Sequence, residues 1–228
     1  MQENKFDEIN KQYWSNEEPE KILAGVHFPG EELTSLIKAK STILDVGCGS
    51  GKISEYLCNK GYIVTGIDIN RKALEENKKR NTNITYCEAD ITKKLPFDDS
   101  SFDAITIPYV FVSIIDKKEA QRAADELIRV LKTDGILWLC EATYSKDYED
   151  RYKIGKELTG LDNVAASFLK SDNGDKKVKR FIRHYSSEEI DELFQSLSKL
   201  STEQLGIISP SSGMEVQTII NVYKKIKK

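Results

Sequence analysis

The chain has 228 residues, 39% hydrophobic and 31% charged, which is enough length and apolar content to bury a full core in a single domain spanning 1–228. A formal net charge of −3 argues against general nucleic-acid binding. Four cysteines (Cys48, Cys58, Cys87, Cys140) without Cys-x-x-Cys spacing and only two histidines (His27, His184) argue against a zinc site, so no metal is expected and reduced thiols in the cytoplasm are the expectation.

In chain order, the first residues lack the apolar core of a signal peptide. Residues 6–14 follow a helical pattern that brings Tyr13 and Trp14 to its end. Residues 43–51, Ile-Leu-Asp-Val-Gly-Cys-Gly-Ser-Gly, then read as an apolar strand running into three alternating glycines. Glycines so spaced permit positive φ in a tight turn and remove side chains where a ligand lies against backbone. Residues 52–60 read as a helix with Ile53, Tyr56 and Leu57 on one face and Gly61 as its stop. A glycine turn between a strand and a helix N-terminus is a nucleotide-binding elbow.

A dinucleotide fingerprint needs its third glycine at position 52, which is lysine; the glycine falls one residue early, at Gly51. Asp45, at the end of the strand, would repel a pyrophosphate and suits a cationic ligand. No Gly-Lys-Ser/Thr follows the loop, which excludes a phosphate-binding P-loop. Residues 62–69 form a second buried-type strand ending in Asp68, 23 residues after Asp45, placing this acid where it can accept both hydroxyls of a ribose. A third acid, Asp90, follows the strand-like residues 84–87 and precedes Ile91.

The Asp-x-Gly-x-Gly-x-Gly run from Asp45 to Gly51, followed by Asp68 and Asp90 each closing a strand, resembles motif I and the succeeding acids of the class I S-adenosylmethionine-dependent methyltransferases with a type 11/25-like domain. The likeness covers residues 40–142 well. It implies S-adenosylmethionine as cofactor, contacted by Tyr13, Asp45, Gly47, Cys48, Gly49, Gly51, Asp68, Ile69, Asp90 and Ile91. Asp90 would meet the adenine amino group, and Ile91 would supply backbone or apolar contact to the ring. Tyr13 and Trp14 either close over the methionine end of the cofactor or simply pack their helix on the core. Cys48, inside the loop, is expected to pack rather than react. The implied fold is an α/β, doubly wound, seven-stranded and mostly parallel sheet of order 3-2-1-4-5-7-6, with strand and helix alternating through residue 142.

Residues 101–110 resemble the fourth strand and its substrate-facing loop, residues 117–131 a helix, and residues 133–135 a surface turn into the fifth strand. The longest mainly apolar stretch, residues 104–115, is 12 residues and contains Pro108, too short and broken to span a bilayer. Residues 144–185 form a polar insertion with an Asp-Asn-Gly-Asp hairpin-type turn at 172–175. With residues 1–30 it is expected to form a mobile cover over the site. Six basic residues (Lys170, Lys176, Lys177, Lys179, Arg180, Arg183) against two acids make this insertion either a solvated face or a docking surface for an acidic partner. Residues 209–213 read as a loop and 216–223 as a final antiparallel strand between the fifth and sixth.

The loop after the fourth strand, Ile-Pro-Tyr-Val at 107–110, lacks the Asn/Asp-Pro-Pro-Tyr of enzymes that methylate exocyclic amines of nucleic acids. A small-molecule acceptor is the leading expectation. The alternatives are a nucleic-acid or protein methyltransferase docking through the basic insertion, and a non-catalytic partner subunit that binds the cofactor. Where the acceptor must lose a proton, the candidate bases are His184, Tyr185, Tyr109 and Glu141. Oligomeric state stays open.

Overall fold

The computed structural model describes residues 3–18, 27–169, 177–208 and 215–227. Five strands, β1 (Thr42–Val46), β2 (Ile63–Asp68), β3 (Thr85–Glu88), β4 (Phe102–Pro108) and β5 (Leu131–Ala142), pair in parallel. Next to β5 lies β9 (Glu215–Lys224), antiparallel to it and to the edge strand β8 (Ser198–Ile208). The order β3-β2-β1-β4-β5-β9-β8 is the expected 3-2-1-4-5-7-6. The two extra strand numbers belong to a separate hairpin, β6 (Val164–Leu169) with β7 (Lys177–Arg183).

Strand alternation sorts the core onto two faces. Leu44, Val46, Ile105, Ile107, Leu137 and Leu139 meet α5 (Lys117–Val130) and α7 (Ser187–Leu193); Ile43, Ala104, Ile136 and Trp138 meet α3 (Lys52–Asn59) and α4 (Arg71–Arg80). Helix α5 starts where the Asp116 carboxylate accepts the N–H groups of Lys118 and Glu119, and it buries Ala120, Ala123, Ala124, Leu127 and Val130 at helical spacing. Truncating a fully buried leucine such as Leu137 to alanine should cost about 2–5 kcal/mol.

Two local features differ from the sequence reading. The expected turn at 133–135 is an interruption within β5: Leu131 pairs with Phe102, and the next pairing is Ile136 with Ala104. Asp134 there takes a left-handed φ of 65° and donates its N–H to the Lys225 carbonyl at 2.7 Å, so the end of β9 holds the excursion. The insertion carries a helix, α6 (Glu149–Thr159), before its hairpin. The hairpin turn at 172–175 and the loop at 209–213 lie outside the described residues, as do 1–2 and 19–26 of the N-terminal segment. Among the described residues no helix is long and apolar enough to cross a membrane.

Candidate active site

The carboxyl ends of β1, β2, β3 and β4 bring the sequence-selected residues together. After β1 the three loop glycines adopt φ of 65° (Gly47), 49° (Gly49) and 81° (Gly51), all in the left-handed region. A Cβ on Gly47 would stand 2.5 Å from Val110 Cγ2, so the loop and the segment after β4 meet at a distance only glycine allows. Cys48 donates its N–H to the Ile67 carbonyl at 3.0 Å, and its buried thiol, pushed well up by burial and by the nearby Asp68 and Asp45, lies in the core with no reactive poise. Asn77 of α4 donates to the Gly49 carbonyl at 2.8 Å, and Arg80 donates to the Ser50 carbonyl. Neither was anticipated from sequence: Asn77 is one buried amide in an otherwise highly charged helix.

Asp68, at the end of β2, accepts the Gly49 N–H on one carboxylate oxygen and the Asn70 N–H on the other, both at 2.8 Å. Burial raises its pKa, and these N–H groups oppose the shift. Each oxygen keeps a lone pair, the acceptor set a vicinal diol requires. Ile69 beside it is half-buried. Asp45 is placed differently from a simple ligand contact: it is fully buried, with one oxygen accepting the Ser54 hydroxyl at 2.5 Å and the other the Thr106 hydroxyl at 3.0 Å. Burial pushes its carboxyl up to about 6 despite both hydroxyls. Asp45 thus joins the start of α3 to β4 beneath the loop.

Asp90 lies 2.9 Å from the Lys11 ammonium, and its other oxygen accepts the Thr92 N–H at 2.9 Å and hydroxyl at 2.7 Å. Partial burial works to raise this acid, but the bonds from Lys11 and Thr92 prevail and hold it below the usual carboxylate range. The Ile91 side chain is part of the core cluster.

Helix α1 (Glu3–Asn16) packs along this edge through polar anchors that pattern alone did not reveal. The buried Asp7 accepts the N–H groups of Ile115 (2.6 Å) and Asp116 (3.1 Å). The buried Asn10 donates to the Ser113 carbonyl and accepts the Phe181 N–H of β7, both at 2.8 Å. Trp14 Nε1 donates to Ser113 Oγ at 2.8 Å, and Asn70 Nδ2 donates to the Trp14 and Glu17 carbonyls at 2.8 and 2.9 Å. The helix therefore spans from the loop after β2 to the turn after β4. Tyr13 packs edge-on to Trp14, with the Lys179 ammonium 4.7 Å from its ring centroid.

The four candidate bases sit beyond β4 and β5. Glu141, at the end of β5, is fully buried; one oxygen accepts the Val112 N–H at 3.2 Å and the other has no partner among the described residues. Burial pushes its carboxyl up to about 8, so it is mainly protonated at neutrality. His184 is buried against Tyr148 and Tyr152, and its Nδ1 faces the Tyr152 hydroxyl. That hydroxyl also accepts the Ser145 N–H at 3.2 Å, which ties the ring to the segment after β5. Burial lowers the ring to about 4, which leaves it uncharged at neutrality. Tyr185 donates to the Ile114 carbonyl at 2.7 Å, and Tyr109, at a left-handed φ of 54°, has its hydroxyl 3.5 Å from Thr218 Oγ1. Burial pushes both phenols well above their ordinary value.

This arrangement agrees with the comparisons to known proteins. Residues 44–139 match the family profile described as a methyltransferase domain. The sheet order and the glycine loop after β1 lie within or beside the matched residues and agree with that description. A demethylmenaquinone methyltransferase of Clavibacter sepedonicus is 37% identical over 106 residues, covering 45% of this chain and 42% of that protein. The ubiquinone/menaquinone biosynthesis C-methyltransferase UbiE of Zymomonas mobilis is 36% identical over 124 residues, 51% of this chain and 50% of that protein. These matches thus span half or less of the curated relatives' length. The crystal structure of an S-adenosylmethionine-dependent methyltransferase from Methanosarcina mazei superposes with a TM-score of 0.79 at 25% identity, covering 89% of this chain and 100% of that one. The residues present fit S-adenosylmethionine: each Asp68 oxygen keeps a lone pair beyond its N–H bond, and the adjoining loop has no side chain at three alternate positions.

Proposed function

We propose that the protein transfers the methyl group of S-adenosylmethionine to a small-molecule acceptor enclosed between the carboxyl edge of the sheet and the cover made by α1, α6 and the β6–β7 hairpin. The cofactor, when bound, supplies a methyl carbon already activated by a sulfonium. The single observation that carries the reading is the Asp68 carboxylate, held by the Gly49 and Asn70 N–H groups beside three left-handed glycines. The acceptor reading rests on the lining beyond it, where Tyr109, Val112, Tyr148 and Tyr152 cluster over the ends of β4 and β5. The named relatives, both acting in quinone biosynthesis by their names, are small-molecule enzymes and support it. The basic hairpin supports macromolecular docking less well, because Lys179 and Arg180 lie over Tyr13 and Trp14.

In this reading Asp68 takes the ribose hydroxyls, Asp90 the adenine amino group, and Tyr13 and Trp14 close the methionine end. Asp45 acts by holding the loop to α3 and β4. No candidate base is poised at neutrality, since burial keeps Glu141 protonated, lowers the His184 ring to about 4 and raises both phenols. The chain contributes alignment and exclusion of water, and the acceptor arrives already nucleophilic. Calorimetry with S-adenosylhomocysteine tests the cofactor half, and release of that product on incubation with a metabolite pool, set against an RNA pool, tests the acceptor half. Turnover with RNA alone would overturn the small-molecule reading.

A further inference from the structure

Five of the chain's seven arginines, Arg71, Arg80, Arg122, Arg129 and Arg183, donate to a carboxylate or carbonyl. Arg180 of β7 and Arg151 of α6 have no such acceptor among the described residues. The Arg180 guanidinium lies over the Trp14 ring at 4.6 Å and the Tyr13 ring at 5.2 Å; that of Arg151 lies over Tyr148 at 5.3 Å. Each pair positions a planar fork of N–H donors by its face and leaves the donor edge unused. The nearby Lys179 is already paired with Glu17 at 3.5 Å.

Location decides what these forks face. Trp14 bridges Ser113 after β4 and Asn70 after β2, so Arg180, over its ring, lies beside the loops that follow these two strands. Tyr148 packs with Val112, Ala142 and Tyr109 over the ends of β4 and β5, so Arg151 flanks the aromatic lining on the acceptor side. Burial pulls Arg180 down to about 10, with the nearby Tyr148 and Glu17 opposing the shift and Arg151 adding to it, so Arg180 keeps its charge at neutrality.

We propose that Arg180 and Arg151 form an oxyanion site for the methyl acceptor, which carries a carboxylate or phosphate at one end of an aromatic or apolar body. This rests on the methyltransferase reading above and adds its substrate class. A bidentate fork matches either oxyanion, and an oxyanion between the two half-buried guanidinium groups offsets their repulsion. The tyrosine lining takes the body of the acceptor, and the oxyanion fixes which end points toward the cofactor.

The test is calorimetry on the full chain, first with S-adenosylhomocysteine, then with benzoate, benzamide and inorganic phosphate in its saturating presence. Benzoate and phosphate should bind, benzoate at least tenfold tighter than benzamide. Arg180→Met should remove that preference, and Arg151→Met should reduce it, while S-adenosylhomocysteine affinity stays within twofold of wild type and Lys199→Met changes neither. Benzoate binding no better than benzamide overturns the proposal. So does an Arg180→Met variant that keeps benzoate but loses S-adenosylhomocysteine, which would assign the guanidinium to the cofactor's own carboxylate. Should Arg180→Met fail to fold, the wild-type comparison and Arg151→Met decide the matter alone. Absence of S-adenosylhomocysteine binding in wild type would instead overturn the methyltransferase reading itself.

Discussion

The ammonium of Lys11 and the carboxylate of Asp90, 2.9 Å apart, tie the covering helix to the loop that closes the third strand. With Asn70 holding the Trp14 and Glu17 carbonyls, this pair couples the order of α1 to the proposed adenine and ribose contacts. Adding S-adenosylhomocysteine should therefore slow amide exchange in Glu3–Asn16. Lys11→Met should cost about 0.5–1 kcal/mol of stability, as expected for a partly exposed pair, and reduce that ligand-dependent protection. Slowing confined to residues 45–91 in wild type would show that α1 does not sense the site.

Asp68→Ala should weaken S-adenosylhomocysteine binding by about 1–3 kcal/mol, the cost of removing a charged acceptor from two hydroxyls. Its loss also frees the Gly49 and Asn70 N–H groups, so thermal stability should fall slightly in the same variant. Gly49→Val should do worse, because a branched side chain resists the left-handed φ of 49°. Unchanged calorimetric affinity in Asp68→Ala would remove this acid from the site.

His184→Gln should retain turnover within about tenfold and leave the pH profile unchanged near 6.5, because the wild-type ring, lowered to about 4, titrates well below that range. Tyr152→Phe is the informative companion. It removes the hydroxyl that engages Nδ1, so His184 loses that hydrogen-bond partner. A kinetic pKa near 6.5 that disappears in His184→Gln, with a loss beyond about 100-fold, would restore the histidine as general base.

Local pattern carried the first half of the fold. Strand alternation, the glycine spacing and the terminal acids Asp68 and Asp90 are short-range features, and each occupies the position its spacing implies. Contacts between distant segments were hidden. The bond from Thr106 to Asp45 could not be read locally, because the two are 61 residues apart and only the parallel pairing of β1 with β4 brings them together. Helix α6 was missed partly because it contains Gly155, a poor helix residue that tertiary packing demands: a Cβ there would come within 1.7 Å of the Val164 carbonyl oxygen. The basic insertion read as a charge run because nothing local shows that Arg180 lies on aromatics near the chain's other end.

Glu141 gives the sharpest pH dependence. Its carboxyl titrates at about 8 when folded and near 4.5 when unfolded. Between those values the unfolded chain has released a proton that the folded chain retains, so this group lowers stability as pH rises through the window, and the penalty is complete above about 8. Glu141→Gln keeps the shape and the bond to the Val112 N–H while removing the charge. Its melting temperature should exceed that of wild type by a margin that grows from pH 6 to pH 9. Parallel melting curves would mean the buried carboxylate is stabilised by charge and ionises normally. Turnover separates structure from chemistry at the same residue. If the acid only packs, the pH profile is the same in both proteins; a wild-type rate that climbs through pH 8 and is flat in Glu141→Gln would make it the base for an acceptor that must lose a proton.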